Sequence, residues 1–503
     1  MVMPQQIMMK VPRLAFSPAF LLRSRIGRTL PSTRSYSFHA NPQSFSKGPA
    51  SKTWRRNAST STDATSTSKP SPSSVRNIIY GTSLTLALVF GYYYITDARA
   101  SVHRWLFTPL MRVLIRDGEA AHKATIESFK LLWTSGLYPR ERGNPDGDGE
   151  LEVKVLGHTL SNPLSTAAGL DKNAEAIDPM FALGPSIVEI GAITPRPQDG
   201  NPKPRVFRVP SQQAIINRFG LPNQGADRIA IRLQERVRKF AYKLGLGLGP
   251  EGEQKVLDGE ANVPPGSLAN GKLLALQIAK QKTTPDDNVE AVRDDYVYCV
   301  KQIGKYADIV TVNVSSPNMP GLRNLQRVEP LKKILSGVVE AVQKLPTKRK
   351  PTVLVKVSPD EDSDEQISGI CEAIYASGVD GVIVANSTRG RPDPVPTGYQ
   401  LSAKEARTML EPGGFSGPQL YPKTLSLVGR YRKALDQQAA ARSITPRIIF
   451  ASGGITNGKE AKEVLDAGAT VAMVYTAMVY QGPGTFSKMK KELKELKKKD
   501  GKP

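Results

Sequence analysis

Eight apolar, strand-like runs separated by helical patterns predict an α/β protein built on a closed (β/α)8 barrel. The runs fall at 163–169, 186–194, 272–279, 307–315, 352–358, 379–386, 447–453 and 470–477. Helical patterns such as 289–304 and 459–467 lie between most of them, which is the alternation of a parallel sheet wrapped in helices. Eight such units in roughly 330 residues suit a closed barrel, with a doubly wound open sheet as the runner-up. A third observation is that nearly every run ends in small, polar or turn-forming residues, as strand ends gathered round one site do.

Taken in order, the chain opens on residues 1–77, which carry twelve Lys and Arg against one acid, Asp63. Arg, Ser, Thr and Pro dominate, the composition of a mitochondrial targeting segment. Met8 to Leu30 can form a basic amphipathic helix, and the stretch to Ser74 has the low complexity of a disordered leader. Residues 78–95 hold eighteen positions without a charge, long enough to span a bilayer, with Tyr92 to Tyr94 where an aromatic belt would lie. Two short helices are expected over 97–140. The first carries Val102, Trp105, Leu106, Leu110, Val113 and Leu114, and the second Ala121, Thr125, Phe129, Leu132 and Trp133, each set at helical spacing. After a membrane anchor, such faces can pack on the main domain or form a vestibule opening to lipid. A Pro- and Gly-rich linker at 139–150 leads to the barrel domain, set at 150–490. The interval 225–271 is too long for one helix and reads as a helix plus a surface insertion. A Lys-rich tail is expected over 491–503.

Charge and cysteine usage remove several classes. The leader supplies +11 of the +23 net charge, and no basic stripe interleaved with aromatics follows, so nucleic acid is not an expected partner. Cys299 and Cys371 lie far apart without metal-type spacing, and the four histidines are scattered. Neither a disulfide framework nor a metal site is expected.

The chemistry sits at the strand ends. Strand four ends T-V-N-V-S-S-P-N, where Asn313, Ser316 and Asn318 offer uncharged hydrogen-bonding groups beside the rigid Pro317. Strand one ends A-A-G-L-D-K, with Ala167, Ala168 and Gly169 letting a planar ligand approach the backbone and Lys172 placing a cation beside it. Strand two ends G-A-I-T-P, and its loop adds Asn217 in N-R-F-G. Gln277 and Lys280 end strand three, Lys356 strand five, and Asn386 and Ser387 strand six. Strand seven ends A-S-G-G-I and strand eight V-Y-T-A. The glycine pair there, with a helix expected near Asn457, suits a phosphate, which barrel enzymes commonly hold after strands seven and eight. Asn side chains can read an imide edge, and charged lysines can hold a carboxylate or steady an anion on a ring.

The set A-A-G-L-D-K, E-I-G-A-I-T-P-R-P-Q-D-G-N-P-K-P-R, I-N-R-F-G, N-V-S-S-P-N, V-K-V-S-P-D, A-N-S-T, G-G-F-S-G, S-G-G-I and Y-T-A resembles class 2 dihydroorotate dehydrogenase over roughly 98 to 487. The leader and anchor are similar to those of its mitochondrial, membrane-bound members. The resemblance implies an FMN barrel enzyme of pyrimidine synthesis that oxidises dihydroorotate to orotate and hands electrons to ubiquinone. It implies Ser316 as the base at C5, where related soluble enzymes use Cys. It places Lys172, Asn217, Arg218, Phe219, Gly220, Asn313, Asn318, Asn386 and Ser387 on the pyrimidine. It places Ala167, Ala168, Gly169, Lys172, Ala192, Gln277, Asn313, Lys356, Ala385, Gly417, Gly454, Tyr475 and Thr476 on the flavin, with Lys356 steadying its reduced form. His122 and Arg208 would line the quinone route, and the barrel would face the intermembrane space from the inner mitochondrial membrane.

Four positions depart from the family pattern. Pro222 stands where an Asn is usual, Ala192 where a hydroxyl is usual, Gln277 where an Asn is usual, and Ala385 where a Thr is usual. None touches Ser316, the two lysines or the phosphate end. Two other readings compete: a flavin barrel reductase acting on another planar ring, and a membrane-anchored scaffold without activity. No Rossmann unit, in which G-x-G-x-x-G directly follows a strand, and no cysteine cluster are read in the sequence, which counts against the first. The presence of Ser316 and both lysines counts against the second.

Overall fold

The computed structural model describes residues 72–319 and 321–501. The helix expected over Met8 to Leu30 and nearly all of the leader lie outside the described residues. The first described element is α1 (Pro72–Ile95), with a mean hydropathy of 1.4 over its most apolar window and none of that window buried. By length and composition it could cross a bilayer. Its end is tied down: Arg140 N donates to Thr96 O at 2.9 Å, and the Arg142 guanidinium lies 4.6 Å from the Tyr93 ring centre.

The extension holds a π-helical turn (His103–Phe107) running straight into α2 (Thr108–Leu114), followed by α3 (Gly118–Ser135). Asp117 starts α3 by accepting from Ala120 N at 2.7 Å, and Gly136 ends it in the left-handed conformation (φ 75°). Trp105, Val113, Leu114 and Leu131 keep 72%, 71%, 69% and 69% of their surface exposed. Most of this apolar surface therefore does not pack on the barrel.

The barrel closes as the sequence predicts. Its strands are β1 (Leu164–Thr166), β2 (Ile187–Ile193), β3 (Leu273–Ile278), β4 (Ile309–Asn313), β5 (Thr352–Lys356), β6 (Gly381–Val384), β7 (Ile448–Ser452) and β8 (Val471–Val474). Each pairs in parallel with the next, and β8 pairs with β1. Each strand falls within its predicted run. Strand periodicity then sorts the interior into two layers. Ile187, Leu273, Ile309, Leu354, Ile383, Phe450 and Val471 fill the lower layer, plugged by Val155 and Leu160 of a hairpin ahead of β1. Higher up the same inward faces come Glu189, Gln277, Asn313, Lys356 and Ser452, all buried. The alternation that builds the apolar floor thus carries polar groups to the C-terminal mouth.

A three-stranded antiparallel sheet not foreseen in the sequence joins Val206–Val209, Ala214–Asn217 and Gly414–Ser416. It brings Asn217 and Gly417 to the mouth from chain positions far apart. The insertion holds two helices, Ala226–Lys243 and Pro250–Leu257. Of the residues expected as a lysine-rich tail, 491–500 belong to a helix, Thr485–Asp500, that runs across the 490/491 boundary and buries Phe486, Met489 and Leu493. Lys490, 1% exposed, pairs with Glu141 and with Asp146 at 2.8 Å, and Lys494 pairs with Asp148. The segment expected as a linker is therefore clamped to the last helix.

Candidate active site

One cavity at the C-terminal mouth, with about 1100 Å³ of open space, gathers most of the predicted residues. Ser316, Lys172, Asn217, Phe219, Gly220, Asn313, Asn318, Asn386 and Ser387 line it. So do Ala167, Ala168, Gly169, Ala192, Gln277, Lys356, Gly417, Gly454, Tyr475 and Thr476.

Four predicted residues sit elsewhere or behind: Arg218, Ala385 and Arg208, and His122 at the seam beside Lys172. Arg218 points away, its Nη1 2.6 Å from Glu411 Oε2 and its guanidinium 4.5 Å from the Phe207 ring centre. Ala385 is fully buried behind the lining, its N–H donating to Ser452 O at 2.7 Å. Arg208 donates to Ile115 O and Asp117 O at 3.4 and 3.5 Å, bracing the turn between α2 and α3.

The floor is a chain of amides and charges. Asn313 Nδ2 donates to Gln277 Oε1 at 2.8 Å, and Gln277 Nε2 donates to Glu189 Oε1 at 3.1 Å. Lys356 Nζ stands 3.8 Å from Glu189 Oε2. The longer Gln277 thus bridges Asn313 to a carboxylate. Asn313 Oδ1 accepts from Ser315 N and Ser315 Oγ, and Asn386 Nδ2 donates to Ser315 Oγ at 2.8 Å. Asn318 Nδ2 donates to Asn217 Oδ1 at 3.1 Å. Ser316 is 5% exposed between these amides.

One wall is the seam between α3 and the barrel. His122 Nε2 donates to Leu170 O at 2.7 Å, which leaves Nδ1 to accept from Lys172 Nζ at 3.0 Å. Lys172 Nζ lies 4.4 Å from the Phe219 ring centre. Burial pulls the lysine down to about 7. Burial first, and then the lysine's charge, hold His122 down at about 3. Arg205 fastens the seam, donating through Nε and Nη2 to Glu119 of α3 at 2.7 Å each.

The far end has the chemistry of an anion cradle. Gly453 and Gly454 have φ of 139° and 74°, and a Cβ on Gly454 would stand 2.4 Å from Tyr421 N, so only glycine fits this turn. Asn457 caps the helix Gly458–Asp466 by accepting from Glu460 N. Gly417, Thr456 and Thr476 close the end.

Glu189 was not singled out from the sequence, although a lone acid inside I-V-E-I-G-A-I was the available signal. The Arg205–Glu119 link was also missed, because nothing local joins residues that far apart.

Fold and cavity together define a cofactor-binding barrel enzyme. Its amides and lysines have the chemistry to hold a flat, heteroatom-rich ring, and its glycine turn that to hold an anion. Residues 150–496 match the family model described as dihydroorotate dehydrogenase. The chain is 37% identical over 421 residues to dihydroorotate dehydrogenase (quinone), mitochondrial, of Kluyveromyces lactis, covering 82% of this chain and 86% of that one. It is 35% identical over 397 residues to the Mus musculus protein of the same name, covering 79% and 87%. A crystal structure of DHODH from Eimeria tenella in complex with ferulenol is similar with a TM-score of 0.63 at 31% identity, covering 76% of this chain and 93% of that one. The chain belongs to the dihydroorotate dehydrogenase family, and that membership implies a flavin cofactor.

Proposed function

We propose that this chain oxidises (S)-dihydroorotate to orotate in de novo pyrimidine synthesis, with FMN as hydride acceptor and ubiquinone as final electron acceptor. The observation that carries the residue roles is the convergence of Ser316, four asparagines and two lysines on one cavity at the barrel mouth. The donor set suits FMN, with Gln277, Asn313 and Lys356 for the ring system and Gly417, Gly454, Tyr475 and Thr476 for the phosphate end. Ala167, Ala168, Gly169 and Ala192 present small side chains or bare backbone to the flat ring. When bound, FMN would supply a hydride acceptor for C6 and a donor of those electrons to the quinone.

Ser316 removes the C5 proton. A hydroxyl is too weak an acid to wait as an alkoxide, so it must pass its own proton onward, through ordered water, as it takes the substrate's. Asn217, Asn313, Asn318, Asn386 and Ser387 hold the pyrimidine edge, and paired amides match its alternating donors and acceptors. Lys172 meets the substrate carboxylate. That anion would restore the lysine's full charge, which burial has weakened. Lys356 steadies negative charge on the reduced ring.

Electrons leave by a route beneath α2 and α3, past His122 and Arg208. We assign α1 as the single-pass anchor in the inner mitochondrial membrane, with the barrel facing the intermembrane space. The mitochondrial names of the relatives and the apolar helix, none of whose most apolar window is buried, support that placement. The test uses the full chain in mild detergent. Dihydroorotate should bleach the visible flavin band, and a short-chain ubiquinone should restore it. Flavin-loaded protein that dihydroorotate does not bleach would overturn the proposal.

A further inference from the structure

We propose that Glu189 is a positioning residue that holds Lys356 and Gln277 and offsets the lysine's charge, thereby setting the reduction potential of the bound flavin. The inference rests on the flavin reading above and adds a residue to it.

Glu189 is the one acid among the buried residues of β2, and it is 0% exposed. Ile187 belongs to the inner apolar layer, so Glu189 two residues on also faces the barrel interior. Oε2 accepts from Ala168 N at 2.7 Å, and Oε1 accepts from Gln277 Nε2 at 3.1 Å. Lys356 Nζ approaches Oε2 at 3.8 Å. Acceptance at both oxygens, with a cation alongside, is the pattern of an ionised carboxylate. Thr166 Oγ1 accepts from the Glu189 N–H at 3.0 Å and fixes the backbone beneath. Glu189 therefore reaches residues on three other strands or strand ends: Ala168 after β1, Gln277 on β3 and Lys356 on β5.

A carboxylate is costly to bury unless it is paired and hydrogen-bonded. The Ala168 N–H and Gln277 Nε2 each need an acceptor, and an amide would offer one oxygen for the two of them. Lys356 is the partner that responds to the charge. An unopposed buried lysine facing the ring would strongly favour the reduced, anionic flavin. A carboxylate behind the lysine weakens that preference, because opposite charges cancel over short distances in a low-dielectric interior. Reduced flavin then remains able to give its electrons to quinone.

The experiment measures the flavin midpoint potential of the full-length, flavin-loaded protein in detergent. Glu189→Gln should move the equilibrium about tenfold toward reduced flavin, a rise of about 30 mV for a two-electron couple. Lys356→Met should move it the other way. The double variant Glu189→Gln/Lys356→Met should lie above Lys356→Met by less than the single step, since the lysine carries most of the coupling. An unchanged or lowered potential in flavin-loaded Glu189→Gln overturns the inference, as does weaker flavin retention with no change in potential. If Glu189→Gln does not fold, Lys356→Met against wild type decides. A potential that does not fall shows that the lysine does not govern the ring, and the inference fails with it. Wild-type protein that holds flavin but is not bleached by dihydroorotate would sink the functional reading alone.

Discussion

At the barrel mouth, Asn313, Gln277, Glu189 and Lys356 satisfy one another in sequence, and each is buried. In the extension, Trp105, Val113, Leu114 and Leu131 turn outward and bury little against the rest of the chain. The two regions are built by the same rule with opposite surroundings. Polar groups at the mouth are paired because an unpaired one in that interior costs about 1–3 kcal/mol. Apolar groups of the extension stay open, which a bilayer, unlike water, would not penalise. On the proposed placement the mouth selects a small polar molecule and the extension meets lipid. The proposed reaction needs both, since one substrate is water-soluble and the other is not.

The largest expected effect separates the two regions by half-reaction. Ser316→Ala should slow bleaching by dihydroorotate by about 10²–10⁴-fold, the usual worth of a positioned proton acceptor. Recovery of the flavin band on adding quinone should keep its rate. Stopped-flow traces of the two phases read this directly, and equal slowing of both would break the division of labour drawn here.

The clamp between the regions comes next. Lys490 is 1% exposed between Glu141 and Asp146. Lys490→Met leaves two carboxylates without their cation and should lower stability by about 3–5 kcal/mol in urea unfolding. A loss below about 1 kcal/mol would mean that the 141–146 segment is held by packing rather than by charge.

How much of this was legible in the sequence follows the same divide. The eight strands could be read because fully buried parallel strands are apolar runs, and turn residues punctuate them. Ser316, Lys172 and Lys356 could be read because they stand at the ends of those runs. Glu189 could not be given a role, because its partners Ala168, Gln277 and Lys356 lie on other strands and only barrel closure brings them together. The Gly414–Ser416 strand could not be foreseen either. Three residues carry too little periodicity, and their partner Ala214–Asn217 lies some two hundred positions earlier. Lys490 was not singled out, because local composition does not reveal that Glu141 and Asp146 arrive beneath it.

A smaller effect tests the open apolar face. Trp105→Ser and Val113→Ser each remove apolar area worth about 1.5–3 kcal/mol when buried. If that face meets lipid and the quinone enters through it, the apparent KM for a long-tailed ubiquinone should rise by about tenfold. Bleaching by dihydroorotate should be unaffected. An unchanged quinone KM in vesicles would show that the quinone reaches the flavin by another path.

The last test lies where the two regions meet. His122 belongs to α3 and Lys172 to the end of β1, and burial depresses both, to about 3 and about 7. In each case the unfolded chain binds a proton that the folded chain refuses. Stability therefore rises with pH across each window and is lost as pH falls through it. For His122 the window runs from about 6.5, its unfolded value, down to about 3. For Lys172 it runs from about 10.5 down to about 7. The slope from either group is at most about 1.4 kcal/mol per pH unit. His122→Gln should flatten the acid window alone and Lys172→Met the alkaline one, while carboxylate titration common to all variants cancels in the differences. Dihydroorotate should also flatten the alkaline window in wild type, because its carboxylate returns the proton to Lys172. A wild-type profile parallel to that of His122→Gln between pH 4 and 6.5 would mean that α3 lifts off the barrel before the imidazole titrates, so the seam would belong to the extension rather than to the mouth.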